Sequence, residues 1–155
     1  MTMNSLELLK KDIKNLDQII TVYKEDLSEA EKVLHLSGKR IDIANAEQTG
    51  WADYYHQQSI EVKYLKEHVS VLLDEVYGRL WKQCTEKMDR VLVVKDKDHY
   101  IKHDPEYLAM IQPYLKISEL YEQFQRVNES FHTRGYALNN LTRLIVAQSN
   151  DWIIS

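Results

Sequence analysis

Apolar positions in the first quarter of the chain recur in steps of three and four: Leu6, Leu9, Ile13, Leu16, Ile20, Tyr23, Leu27, Ala30 and Leu34. An a/d pattern sustained over about four heptads predicts a long helix suited to a coiled coil or a helical hairpin. Ser28 followed by Glu31 has the form of a capping box. The helix therefore either breaks near Asp26 or runs on with Ser28 exposed. LSGKR, 36–40, is the expected joint, with Gly38 as helix stop. The apolar phase carries across it to Ile41 and Ala44, so one bent helix and a hairpin both remain open.

The next pattern is a central helix over 40–88, free of proline, with Trp51, Tyr55, Val62, Leu65, Val69, Leu72 and Val76 on one stripe. RVLVV, 90–94, reads as a brief strand or a buried helical turn, and KDKDHYIKHD, 95–104, as a charged loop. Asp104 and Pro105 take N-cap and N1 of a further helix, which Pro113 should kink or restart. C-terminal helices over 104–148 carry Ile117, Leu120, Phe124, Val127, Phe131, Leu138, Leu141 and Ile145 in heptad phase. Arg134 takes one inward position, where it needs an acceptor or an oligomer edge. The apolar tail NDWIIS should dock on a neighbour or fray. The chain thus reads as all-α: a single helical domain over 1–155, with an N-terminal heptad helix over 1–37, built as a hairpin or bundle. Three striped helices offer more apolar surface than one thin monomer buries, which points to a homo-oligomer.

Composition agrees. The 155 residues include 4 Gly and 2 Pro, and 28% are charged, a mix suited to helices. The net charge of −4 means that any contact with nucleic acid must come from a local patch. One cysteine, Cys84, excludes an internal disulfide and fits a reducing compartment. The early charges of MTMNSLELLKKD do not form a signal peptide, and no apolar run approaches the ~20 residues of a membrane helix. These features read as a soluble intracellular protein.

Catalytic chemistry is sparse. Ser37-Gly38-Lys39-Arg40 has the GK of a phosphate loop but neither its earlier glycine nor the following hydroxyl, so it reads as a helix end. His99 and His103 have the i,i+4 spacing of metal ligands, yet the charged stretch around them offers no nearby Cys or third His. Cys84 reads as a packing residue. No catalytic residue, metal ligand or cofactor is assigned, and the chain reads as a non-enzyme. The end of the central helix is different. Arg79, Lys82, Lys87 and Arg90 stand against Glu86 and Asp89, a local excess of two positive charges beside Tyr77 and Trp81. Cations for phosphates and aromatic faces for bases are the chemistry that single strands require. The alternative is an ordinary amphipathic helix end with Trp81 buried and the cations complementing the helix dipole.

LELLKKDIKNLDQ, YYHQQSIEVKYLKE, YGRLWKQ and SFHTRGYALNN occur in that order. Together they resemble the UvsY recombination mediators of T-even-type bacteriophages, over nearly the whole chain. The most specific segments are Arg79-Leu80-Trp81 and Thr133-Arg134-Gly135-Tyr136-Ala137-Leu138. The resemblance implies an all-helical, ring-like homo-oligomer, a hexamer or heptamer, in the cytoplasm of an infected bacterial host. It implies binding to single-stranded DNA, to a RecA-like recombinase and to a single-stranded-DNA-binding protein, so that the recombinase loads onto covered strands. Arg79 and Trp81 take the family's basic and aromatic positions for DNA, joined by charge and proximity with Tyr77, Lys82, Lys87 and Arg90. Tyr77 stands where members often carry lysine. The C-terminal region, Phe124, Val127, Phe131, Arg134, Gly135, Tyr136, Leu138, Leu141 and Ile145, takes the role of self-assembly. The competing reading is a coiled-coil structural or adaptor protein without nucleic-acid binding.

Overall fold

The computed structural model describes residues 4–87, 93–148 and 154. Among them the chain is all-α: α1 (Ser5–Lys11), a 3-10 turn (Ile13–Asn15), α2 (Leu16–Leu34), α3 (Ile41–Lys87), α4 (Val94–Lys102) and α5 (Pro105–Gln148). The chain divides into two compact units, each assembled from separate stretches. One comprises Met1–Asp17 and Lys63–Glu119, the other Gln18–Val62 and Leu120–Ser155.

The second unit is a three-helix bundle. The joint at 36–40 is a turn: α2 stops at Leu34, Gly38 takes φ +78°, and α3 starts at Ile41. A positive φ is cheap only for glycine. Tyr55 Oη donates to the Asp26 carbonyl at 3.1 Å and Tyr23 Oη to Glu61 at 2.7 Å. These pairings make α2 and the start of α3 an antiparallel hairpin and settle the question of one bent helix. α5 completes the bundle. Phe124 meets Tyr23 edge-on at 5.9 Å, and Phe131 stacks on Tyr55 at 5.2 Å. The tail returns to the joint. Gly38 N–H donates to the Ile154 carbonyl at 2.8 Å, and Ile154 N–H to the Lys39 carbonyl at 3.0 Å. Ile154 thereby packs with Ile41, Ala44 and Leu138 of its own chain. The rest of NDWIIS lies outside the described residues.

The first unit packs α1, the second half of α3, α4 and the start of α5. Its core holds Leu9, Leu16, Leu65, Val69, Leu73, Val76, Leu80, Cys84, Ile101 and Ile117. Leu73 is buried where the stripe predicts Leu72. From Leu65 the buried positions advance mostly by fours, faster than the ~3.5 residues of a heptad, so the phase that selects Leu72 is lost.

Three boundaries differ from the sequence reading. The N-terminal helix breaks at Asp12, not near Asp26. Asp12 is extended and its carboxylate caps Lys14 N–H at 2.9 Å, while Asn15 Nδ2 donates to the Leu8 carbonyl at 2.8 Å. Around Ser28 the helix runs on with the side chain exposed, the other alternative left open above, and its hydroxyl donates to the Glu25 carbonyl at 2.7 Å instead of capping. The expected loop at 95–104 is mostly helical. In α4 a single residue, Ile101, is fully buried, and it docks the segment on Val76, Leu80 and Cys84. Of RVLVV, 90–92 lie outside the described residues, and Val93 and Val94 are exposed. Finally, α5 runs through Pro113 without restarting. The lost N–H is tolerated because Tyr107 and Met110 before it and Ile117 after it are anchored in the same unit.

Candidate nucleic-acid interface

Tyr77 and Trp81 stand one turn apart on α3, so their rings can face each other. They stack with centroids 6.1 Å apart and planes at 27°. Both are half-buried against Val76, Leu80, Cys84 and Ile101, with Tyr107 and Met110 alongside. Tyr77 Oη donates to Asp98 at 2.7 Å. That hydrogen bond to a carboxylate, with burial second, pushes the phenol up to about 12. The same bond, helped by Lys102 at 3.0 Å, holds Asp98 below the usual carboxylate range. Lys97 Nζ lies 5.2 Å from the Trp81 ring centre and donates to Thr85 Oγ1 at 3.1 Å.

The cations divide into two sets. Arg79 donates through Nη1 to Glu106 Oε2 at 2.9 Å and through Nη2 to Oε1. This end-on pair raises the arginine and lowers the glutamate, chiefly through the hydrogen bonds themselves. Asp104 caps α5 by accepting from Glu106 N–H at 2.8 Å, which fixes the backbone that carries Glu106. Lys82 is exposed and only loosely placed, 4.0 Å from Glu86. Lys87 is exposed at the rim of a small cavity of about 250 Å³ shared with Leu80, Cys84 and Ile101. Arg90 lies outside the described residues. The structure therefore brings Tyr77, Arg79, Trp81 and Lys82 to one helix end, but occupies much of what a strand would use. Trp81 has Tyr77 and Lys97 against it, and Arg79 is held by Glu106. Sequence reading missed Lys97, Asp98 and Glu106. Their signal is weak, because 95–104 shows almost continuous charge and the partners of Tyr77 and Arg79 lie 21 and 27 positions away.

The C-terminal candidates lie in the other unit. Phe124, Phe131 and Leu138 are buried within it, and Val127, Leu141 and Ile145 are half-buried. The stripe expected to face a second copy thus packs largely on its own chain. Tyr136 faces outward at 68% exposure, stacked with His132 at 6.5 Å. Gly135 has a steric role: a Cβ there would lie 3.2 Å from Gln48 Nε2, which donates to the Phe131 carbonyl at 2.7 Å. Gln48 Oε1 accepts from Arg134 Nη1 at 2.5 Å. Arg134 is only 4% exposed, and burial pushes its guanidinium below the usual arginine value. Its Nε and Nη2 have no hydrogen-bond partner among the described residues.

Elsewhere, His99 and His103 lie with ring centres 4.3 Å apart, and His103 Nδ1 is engaged with the His99 carbonyl at 2.7 Å. No group of three or more metal-binding side chains is found among the described residues. Lys39 Nζ contacts the Val33 carbonyl at 3.4 Å, the end of the preceding helix. No described helix is long and apolar enough to cross a membrane. Neither a family model, nor a curated protein, nor a solved structure matches the chain.

Proposed function

We propose that the chain is a non-enzymatic recombination mediator. It binds single-stranded DNA through the end of α3, assembles as a homo-oligomeric ring, and helps a RecA-like recombinase replace a single-stranded-DNA-binding protein. One observation carries the DNA part of this reading: the stacked Tyr77–Trp81 pair with Lys97 at the indole and exposed Lys82 and Lys87 at the rim. The collinear resemblance to the UvsY mediators supports the rest. A base stacks by taking the place of Lys97 at the indole, and phosphates recruit the lysines. One such patch is weak in a chain of net charge −4, but repetition around a ring adds contacts on a single strand. The oligomer holds the strand without hydrolysis and favours the recombinase-bound state by differential affinity.

Anisotropy of a labelled single-stranded oligonucleotide, titrated across a salt series, tests this. Binding at low salt that weakens steeply as salt rises is expected, with a smaller salt slope in Lys82→Ala/Lys87→Ala. No binding at low salt would sink the mediator reading. The adaptor reading draws on the Arg79–Glu106 and Tyr77–Asp98 pairs, which give the same residues structural work. It predicts no binding in that titration.

A further inference from the structure

Arg134 is a charged side chain buried in its unit with two of its donor nitrogens unused. The pattern of use is specific. Nη1 is spent on Gln48, a neutral acceptor, while Nε and Nη2 remain. Those two N–H groups run parallel along one edge of the guanidinium and form the side-on fork that matches two carboxylate oxygens. The same molecule shows that fork in use: Arg40 holds Asp42 through Nε at 3.1 Å and Nη2 at 2.8 Å. An uncharged acceptor at one nitrogen does not offset the burial of a cation, so the unfilled edge is costly as it stands.

Nε and Nη2 are themselves sealed from solvent. Arg134 nonetheless lines an open groove of about 620 Å³ together with Leu34, Leu36, Arg126, Glu129, Ser130, Thr133 and Ala137. The hydroxyls of Ser130 and Thr133 already donate to the Arg126 and Glu129 carbonyls. Positive donors in the groove are therefore the two arginines, and Leu34, Leu36 and Ala137 form an apolar wall. Leu144 extends that wall: it lies seven residues beyond Ala137, on the same helix face, and is 56% exposed. Leu36, in the joint, is half-buried against Ile41, Ala44 and Leu138, so a group that reaches the sealed edge must displace part of this wall.

We infer that the groove receives an Asp or Glu side chain from a second copy of this chain, whose carboxylate closes on Arg134 Nε and Nη2. This rests on the self-assembly half of the proposed function and gives it a contact. A second copy fits because a carboxylate on a short apolar stem matches the cation and its leucine wall, and the chain carries 24 acidic residues against 20 basic ones. Two carboxylates of its own unit are internal candidates: Glu47, which acts on Arg134 through space, and Glu129, which lines the same groove; neither is hydrogen-bonded to Nε or Nη2.

The test follows the Arg134 Nε–H resonance, assigned by its loss in Arg134→Lys, across a protein dilution series alongside sedimentation mass. The resonance should shift downfield in step with assembly. Arg134→Lys, which keeps the charge but not the fork, should raise the dissociation constant of assembly at least about tenfold with helicity unchanged. Acetate should weaken wild-type assembly more than chloride of equal ionic strength does. Assembly with an unmoved resonance, or equal assembly by a folded Arg134→Lys, overturns this inference and leaves the ring reading standing. A resonance that moves in Glu47→Gln or Glu129→Gln at monomer concentrations assigns the fork to an internal partner and overturns it as well. A chain that stays monomeric at every concentration overturns both.

Discussion

The two aromatic–arginine clusters are built from the same parts in opposite ways. Around Tyr77, Trp81 and Arg79 the rings are half-buried, the arginine is exposed, and Tyr77, Arg79 and the Trp81 ring each meet a charged group. Around Tyr55, Phe131 and Arg134 the rings are sealed, the arginine is sealed with them, and it holds only an amide. Exposed pairs such as Arg79–Glu106 are screened by water and cost little to open. A buried cation has no such relief. The first cluster can therefore exchange its partners for a ligand while its unit stays folded. The second is fixed by packing, and its chemistry is confined to the unfilled edge of Arg134.

This contrast can be broken most directly at Phe131. Phe131→Ala removes the ring stacked on Tyr55 and should cost about 3–5 kcal/mol in denaturant unfolding. A loss no larger than that of the mildest change below would dissolve the distinction between the clusters. Ile101→Ala probes the other side. It removes the single buried anchor of α4, and because nine residues can detach alone, the expected loss is near the low end for such truncations, about 2 kcal/mol. Amide hydrogen exchange should quicken across 94–102 while residues 55–62 and 124–138 keep their protection. Tyr77→Phe is the mildest, about 1 kcal/mol or less. It also sharpens the comparison through pH. The folded Tyr77 phenol, held at about 12 against an ordinary 10.0, keeps its proton more tightly than the unfolded chain does. Its contribution is complete below pH 10 and drains away as pH rises toward 12. Wild type should lose stability over that interval and Tyr77→Phe should lose less, as read from melting curves beside phenolate absorbance.

Helix class was readable because the steps of three and four along α2, α3 and α5 depend on local geometry alone. What escaped depends on distance. The break at Asp12 is a one-residue event inside an unbroken apolar rhythm, stabilised by a side chain, Asn15, reaching back to Leu8. The α4 helix is charged on nearly every face and hangs on Ile101, which no periodicity marks. Leu73 displaces Leu72 because a stripe drifts along a long helix. At the candidate interface the residue types around Trp81 were legible, but their occupancy was not: Glu106, Asp98 and Lys97 are brought in by the fold. The inward position of Arg134 calls for an acceptor, and Gln48, 86 positions away, supplies only part of one.

The clasp between Ile154 and the 36–40 joint has a consequence for synthesis. Chains are made from the N-terminus, and domains fold as their segments emerge. The turn at Gly38 is translated early, yet two of its backbone hydrogen bonds await Ile154. Its unit also needs Leu120–Ser155, whereas the other is complete in sequence once Glu119 has emerged. On the ribosome the Tyr77–Trp81 unit can therefore mature first, and the Arg134 unit, with its unfilled guanidinium edge, closes last.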